Sequence, residues 1–293
     1  MKKSTIILLS IQGILILVAI LVLQKPGEKS VTKTGTSMFS IDSAAVSKVQ
    51  IQSLNSKIVL EKQGAEWFVV DPIKYRADQS AVARLIQQMK NVVSKGIVSD
   101  KAEKHGIFRV DSTGLRVTLW QKENEVADCI IGKMAQTYTE SFVRKGTGNE
   151  VYIAEGIMEY QVPRDVKSWR DRTIASAIRE NIKSVTYQYG DTLFTLSFQD
   201  SVWMVGNSRA QESVVQSVLG ALTNVQADDF VDTIATFPKP TAMVSYTGLQ
   251  LQFAFDKAQK KYFVRTMQSP QIFVVEQWRA DQILKRKKDF LAK

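Results

Sequence analysis

The sequence predicts an α+β fold: two tandem copies of an antiparallel-meander, helix, antiparallel-meander unit behind a single N-terminal transmembrane helix. Three observations predict it. Residues 5–23 contain no charged side chain. Short runs of alternating apolar and polar residues lie on both sides of one helical pattern. The second half of the chain repeats these patterns in the same order, and strands grouped around a helix favour α+β over α/β.

The composition is typical of a globular protein. The chain has 293 residues, 39 Lys and Arg against 29 Asp and Glu, a net charge of +10, and 44% hydrophobic residues. This length allows one or two domains with a sizeable core. A single Cys and a single His exclude an intramolecular disulfide framework, a multi-cysteine zinc site and any mechanism that requires two histidines.

The N-terminus predicts a membrane anchor. We divide it into a cytoplasmic tail (1–4), a transmembrane helix (5–23) and a flexible Gly, Ser and Thr-containing tether (24–37). At 1.5 Å per residue the apolar run matches the ~30 Å hydrocarbon core of a bilayer. A cleaved signal peptide is the alternative, but the run is long for one and no small-x-small site follows it. No cysteine follows the run for lipidation.

The numbers of basic residues on the two sides of the apolar run are nearly equal, so they do not by themselves decide the orientation of the predicted helix in the membrane. Lys2 and Lys3 precede the run, and Lys25, Lys29 and Lys33 follow it. A short leader usually stays inside, while long following domains translocate largely regardless of charge. We therefore expect a single-pass protein of the bacterial inner (cytoplasmic) membrane with a cytoplasmic N-terminus and a periplasmic bulk.

The rest of the chain reads as copy 1 (38–174) and copy 2 (175–293). Trp67 and Val69 align with Trp203 and Val205, and the matches before and after them keep the same order. Conserved order at a nearly constant offset is the expected signature of an internal repeat.

Each copy predicts the same elements. Alternation and turn residues give the strands, and Asp78 is a candidate N-cap for the first helix. For copy 1 we predict strands at 48–52, 57–62, 66–70, 115–121, 126–131, 141–145 and 150–154, and a helix from Asp78 to about 94. For copy 2 we predict strands at 183–188, 192–198, 202–205, 242–246, 249–255, 262–266 and 271–275, and a helix at about 210–225. Helical segments at 163–172 and 276–291 close the copies.

Two sets of side chains are candidate ligand or partner contacts. Trp67 and Trp203 occupy equivalent strands, where they could form a paired platform but more often fill equivalent cores. The basic run consists of Lys285, Arg286, Lys287 and Lys288. It could bind anionic lipid or an acidic partner, or it could be a solvated helix face.

The remaining chemistry-bearing residues predict no catalytic, cofactor or metal site. His105 lacks partner ligands or an orienting carboxylate and is expected in a turn. Cys129 lies in an alternating strand and is expected to be buried. Asp228, Asp229 and Asp232 lack the spaced oxygen ligands of a cation loop and are expected to be solvated. Residues 146–149 are expected to form a hairpin turn.

Several short sequence motifs spread over the chain resemble those of a known family. They are the anchor, Val46-x-x-Val49-x-Ile51, Trp67-Phe68-Val69-Val70-Asp71-Pro72, Lys104-His105-Gly106-Ile107, Ile131-Gly132, Phe142-Val143-Arg144, Val151-Tyr152 and Trp169-Arg170-Asp171-Arg172. The chain resembles an uncharacterised bacterial domain-of-unknown-function family of membrane-anchored tandem-repeat proteins. The resemblance implies a place near Gld-type, gliding-motility-like ABC transporter components.

Together these observations predict a non-enzymatic, membrane-anchored extracytoplasmic accessory or scaffold protein, associated with an ABC-type transporter or cell-envelope complex. The expected partners are the membrane and subunits of such a complex, without nucleic acid and without a cofactor. The alternative is an extracytoplasmic ligand-binding module for a glycan or acidic lipid. A hydrolase that uses carboxylates alone is a third hypothesis, although no pair is singled out by its spacing.

Overall fold

The structure, a computed structural model, describes residues 35–233 and 236–291. Over these ranges it consists mostly of antiparallel β-sheet. Contacts divide it into two compact units, each built from two stretches of chain. Among the described residues, unit 1 includes 35–55 and 84–162, and unit 2 includes 56–83, 163–233 and 236–291.

Unit 1 is built on seven strands. They are β1 (Thr36–Ser37), β2 (Lys48–Ser53), β6 (Val93–Ser99), β7 (Leu115–Gln121), β8 (Asn124–Met134), β9 (Glu140–Lys145) and β10 (Val151–Glu155). Their order is β1-β6-β10-β9-β8-β7-β2, and every neighbouring pair is antiparallel. A short helix, α2 (His105–Phe108), precedes β7. Alternation determines which side chains are buried, as in β2, where Val49 and Ile51 are at most 1% exposed.

Unit 2 contains a three-stranded meander: β3 (Ser56–Gln63), β4 (Glu66–Asp71) and β5 (Tyr75–Arg76). Its larger sheet has the order β15-β14-β13-β12-β18-β19-β20-β21-β17. These strands are β12 (Ser184–Tyr189), β13 (Thr192–Gln199), β14 (Val202–Val205), β15 (Ser208–Arg209), β17 (Asp229–Val231), β18 (Ala242–Tyr246), β19 (Leu249–Asp256), β20 (Lys261–Thr266) and β21 (Ile272–Glu276). A separate pair joins β11 (Thr173–Ser176) to β16 (Asn224–Gln226).

Two helices of 12 residues each accompany the sheets. Helix α1 (Gln79–Lys90) includes the boundary between the units, and α3 (Glu212–Thr223) lies in unit 2. Asp78 caps α1 as predicted, since its Oδ1 accepts a hydrogen bond of 2.9 Å from the Ala81 N–H. Helix α3 buries Val215, Val218, Leu219 and Leu222 in the core of unit 2. A shorter helix, α4 (Gln277–Ile283), follows β21.

The predicted α+β fold class is wrong, because antiparallel sheet dominates the described chain. Both longer helices are shorter in the structure than the sequence predicted. Helix α1 ends at Lys90 because the following residues enter β6, which pairs with β10. Helix α3 ends at Thr223, where β16 begins its pairing with β11.

The predicted transmembrane helix (5–23), with the tail at 1–4 and nearly all of the tether, lies outside the described residues. Within 35–233 and 236–291, no helix is long and apolar enough to cross a membrane. The copy boundaries, 38–174 and 175–293, differ from the unit boundaries, and the duplication stays a prediction.

Candidate binding cleft

An open cleft of about 900 Å³ lies in unit 2. One wall is formed by β4, β5 and the turn between them, with Phe68, Val70 and Ile73 among its apolar side chains. The other wall is formed by the end of β17 and the start of β21. Volumes of this size are typical of sites that bind small molecules.

Arg170 lies at the floor of this cleft and is only 1% exposed. Its Nη1 donates to both Asp232 carboxylate oxygens at 2.9 Å, and its Nη2 donates to Gln271 Oε1 at 2.8 Å. The guanidinium carbon lies 4.3 Å from the centre of the Tyr75 ring and 3.7 Å from that of Phe230. A planar guanidinium suits this arrangement, because its faces stack on rings while its edge donates hydrogen bonds.

Local structure holds Arg170 in this position. The residue follows a 3₁₀ helix, Val166–Trp169, whose N-cap Asp165 accepts a 2.9 Å hydrogen bond from the Ser168 N–H. Arg170 then forms a β-bridge with Ala77, next to β5. The Asp171 N–H donates to the Arg76 carbonyl at 2.9 Å. Contacts of its backbone as well as of its side chain therefore hold Arg170 in place.

Gln271 and Tyr75 complete the floor. The Gln271 Nε2 donates to the carbonyls of Val231, at 3.2 Å, and Ile272, at 2.7 Å. Burial raises the pKa of the Tyr75 hydroxyl, and the nearby Arg170 charge opposes that rise. Tyr75 therefore stays a neutral hydroxyl at neutral pH.

Two basic side chains lie at the rim of the cleft, Arg76 and Lys74, and only Arg76 is paired in the described chain. The Arg76 guanidinium is paired with Glu66 at 2.8 Å and with Asp171. Lys74 is exposed, and within the described ranges its ammonium has no ion-pair or hydrogen-bond partner. Within the described residues the cleft therefore offers apolar walls, a floor in which Arg170 is held by Asp232 and Gln271 while its Nε has no partner, and the free positive charge of Lys74. Such a site favours binding over proton transfer, because the Asp232 carboxylate is already held by Arg170.

The predicted tryptophan contacts do not lie in the cleft. Trp67, in β4, and Trp203, in β14, are each 7% exposed. The Trp203 ring packs 5.4 Å from the Phe198 ring and belongs to the core of unit 2. The backbone N–H of Trp67 donates a hydrogen bond of 2.8 Å to Gln79 Oε1. Both side chains are buried, as the interpretation that they fill cores expects, whereas their equivalence in two repeat copies and their role as contacts stay predictions.

The basic run follows α4. Lys285 is half-buried and its Nζ donates to the Asp281 carbonyl at 2.6 Å. The exposed Arg286 lies flat on a tyrosine, with its guanidinium carbon 3.6 Å from the Tyr189 ring centre. Lys287 and Lys288 are exposed in the 3₁₀ helix Lys287–Phe290, and the adjacent Phe290 is fully buried. Binding of acidic partners by this run stays a prediction.

His105 and Cys129 occupy structural positions. His105 begins α2, and its Nε2 lies 2.8 Å from the Asn149 carbonyl oxygen. Cys129 is fully buried, its Sγ 3.8 Å from Met89 Sδ. Burial raises the pKa of the Cys129 thiol, so the thiolate is disfavoured. The prediction that Cys129 is a small buried side chain is confirmed.

Asp228, Asp229 and Asp232, predicted as solvated loop charges, each form an ion pair, although the Asp229 and Asp232 side chains stay 49% and 47% exposed. Asp228 pairs with Arg279 at 2.9 Å, Asp229 with Lys167 at 3.0 Å, and Asp232 with Arg170 at 2.9 Å. The folded chain brings a basic side chain from a distant part of the sequence to each of them. Nowhere in the described ranges do three His, Cys, Asp or Glu side chains gather as a metal site would require.

Sequence reasoning missed the residues of the cleft floor. Tyr75, Arg170, Asp232 and Gln271 are distant in sequence and have no fixed spacing. Two of them were noted in the sequence, Arg170 in the Trp169-Arg170-Asp171-Arg172 segment that carried the family resemblance and Asp232 among the carboxylates considered for a cation site, but neither suggested a role in a cleft.

Comparison with known proteins gives the family. The domain of unknown function DUF4340 matches residues 67–251, which is more than half of the chain. No curated protein and no solved structure matches the chain. The resemblance to an uncharacterised domain family is thereby confirmed at the level of the domain: this chain belongs to the DUF4340 family.

Proposed function

We propose that this protein is a non-enzymatic, membrane-anchored extracytoplasmic accessory protein of an ABC-type transporter or cell-envelope complex. The observation that carries the proposal is the cleft, whose floor is fixed by Arg170 and whose rim carries the free Lys74. A rigid concave surface of this kind can hold a partner segment without reorganising, which lowers the entropic cost of binding.

The cleft favours a partner segment of particular chemistry. Its walls include Phe68, Val70 and Ile73, which can cover apolar side chains and release water from them. Lys74 lacks a carboxylate partner within the described chain, so an acidic side chain on the partner would complete an ion pair at the rim. We therefore propose an extended partner segment with apolar residues flanking an Asp or Glu.

Sequence supports the membrane part of the proposal. Residues 5–23 carry no charge and have the length of a bilayer span. The resemblance to proteins near Gld-type ABC transporter components supports the choice of complex. The support for the membrane anchor and for the choice of complex comes from the sequence, whereas the cleft is a feature of the folded chain.

Site-specific photocrosslinking in native membranes tests the proposal. A photoreactive amino acid is placed at Ile73, in the cleft wall, and as a matched control at Leu193, an exposed apolar residue outside the cleft. We expect the Ile73 probe, and not the Leu193 probe, to capture a membrane-spanning or ATP-binding transporter subunit or an envelope protein, identified by mass spectrometry.

Charge reversal gives the second arm of this test. Lys74→Glu should reduce capture at Ile73, while the equally exposed Lys257→Glu should leave it unchanged. Identical captures from the Ile73 and Leu193 probes, or capture that is insensitive to Lys74→Glu, would contradict the proposed use of the cleft.

A further inference from the structure

A second, smaller pocket lies in unit 2, away from the cleft residues. It has a volume of about 300 Å³ and lies between β19, β20 and the chain that follows α4. Its lining includes the apolar side chains Ala242 and Leu284, the rings of Phe255 and Tyr262, and the charged side chains Asp281 and Arg286. The sequence singled out Arg286, as part of the basic run, but none of the other residues that line this pocket.

The pocket holds two opposite charges that are not paired with each other. Within the described part of the chain, the Asp281 carboxylate has no ion-pair or hydrogen-bond partner. The Arg286 guanidinium has only the Tyr189 ring beneath it, at 3.6 Å, so its edge N–H groups are free to donate. Asp228, Asp229 and Asp232 in the same unit all have basic partners. What this pocket combines, among the described residues, is one unpaired carboxylate and one unpaired guanidinium in the same lining, beside aromatic rings.

Aromatic side chains provide flat apolar surface beside these charges. The rings of Phe255 and Tyr262 are half-buried and pack with their centres 4.8 Å apart at 46°. Burial raises the pKa of the Tyr262 hydroxyl, Asp281 adds to the rise and Arg286 opposes it. The Tyr262 hydroxyl thus lies within the fields of both charges and stays protonated at neutral pH, when it can both donate and accept.

We propose that this pocket binds a neutral sugar ring. A sugar presents C–H groups on one face, which pack on the negative faces of aromatic rings. Around its edge it presents hydroxyl groups, which donate to the Asp281 carboxylate and accept from the Arg286 guanidinium in charge-assisted hydrogen bonds. Because the lining carries one negative and one positive side chain, neither a purely anionic nor a purely cationic ligand gains a net attraction from the pair. The inference goes beyond the accessory role and does not depend on it.

Binding of short neutral oligosaccharides to the full-length protein tests the site. The protein is held in lipid nanodiscs, since detergents with sugar headgroups would compete. Maltotriose, cellotriose and triacetylchitotriose are each titrated to ~10 mM, which detects millimolar dissociation constants, with saturation-transfer NMR as the readout. We expect at least one of them to bind, and Asp281→Ala and Arg286→Gln each to weaken that binding about tenfold or more.

Matched variants separate a local effect from a loss of folding. Asp191→Ala and Arg209→Gln change exposed residues outside the pocket and should leave binding unchanged. The thermal unfolding of all four variants should stay close to that of the wild type, because within the described residues none of the four side chains has a carboxylate–cation pair to lose, and the exposed Arg286 loses only its contact with the Tyr189 ring.

Three results would overturn the inference. One is the absence of binding by all three oligosaccharides. Another is sugar binding that is equally strong in Asp281→Ala and Arg286→Gln. The third is binding of a zwitterionic amino acid, such as phenylalanine, at this pocket in place of sugar, since that ligand would also satisfy one free carboxylate and one free guanidinium.

Discussion

Substitution of Asp232 should destabilise the protein far more than substitution of Asp229, although the two carboxylates are similar in exposure. Asp232 is 47% exposed and pairs with Arg170, which is 1% exposed. Asp229 is 49% exposed and pairs with Lys167, which is 42% exposed. The two pairs therefore differ mainly in the burial of the cation.

The expected magnitudes follow from that difference. Asp232→Ala leaves the Arg170 Nη1 without both of its carboxylate acceptors, in a side chain whose Nε already has no partner in the described chain. Breaking a buried pair in this way costs ~3–5 kcal/mol. We take about 3 kcal/mol, because the space left by a half-exposed aspartate admits water. Asp229→Ala releases an exposed lysine, and exposed pairs contribute only ~0.2–1 kcal/mol.

Thermal unfolding of the full-length protein, followed by intrinsic tryptophan fluorescence, measures both effects. At ~2–4 °C per kcal/mol for a chain of this size, we expect Asp232→Ala to lower Tm by about 6–12 °C and Asp229→Ala by no more than about 4 °C. Asp232→Asn keeps one carbonyl acceptor for Arg170 and should fall between them. Equal losses for the two alanine variants would refute the reasoning that Arg170 depends on Asp232.

Three further predictions concern acid stability, thiol reactivity and the core. Burial raises the pKa of the Asp228 carboxyl, but hydrogen bonds and charge from Arg279 outweigh it, so the pKa is lowered in the folded state. The stability that this carboxylate contributes is present above its unfolded pKa of about 4 and is lost as pH falls through the lower folded value. Arg279→Gln should lower Tm at pH ~7 and flatten its decline below pH ~4; a parallel pH profile would contradict this. The Cys129 thiol should resist a maleimide in the native protein and react fully in denaturant, as measured by mass, whereas rapid native labelling would contradict its burial. Trp203→Ala should cost ~3–5 kcal/mol in denaturant unfolding; a cost below ~1 kcal/mol would show that the indole is not a core side chain.

The local elements of the fold were predictable from the sequence because they depend on neighbouring residues. The strand at 115–121 follows from its alternation, and the structure has β7 at Leu115–Gln121. The start of α1 follows from Asp78, whose side chain caps the helix. Residues 93–99 were not predicted as a strand, because their sequence does not alternate apolar and polar residues and the predicted helix extended to about residue 94. They form β6 because β10 supplies the backbone hydrogen-bond partners, and β10 lies far along the chain.

The cleft could not be predicted in the same way. Tyr75, Arg170 and Asp232 come from three distant segments, and no one of them carries a distinctive motif. Arginine is usually a surface residue, so its burial between two rings depends on the folded positions of Tyr75 and Phe230. The same is true of the aspartates near residue 230, whose basic partners are 51 to 62 positions away.

The sequence by itself determined where most strands and both longer helices lie, which side chains of each face the core, and that Cys129 and Trp203 are buried. These features follow from period-two and helical patterns along the chain. Only the tertiary structure decided that antiparallel sheet dominates, that both helices stop at 12 residues, and that Arg170 and Asp232 meet. The physical reason is that strand pairing and ion pairing are completed by partners remote in sequence, so their gain in free energy exists only once the chain has folded.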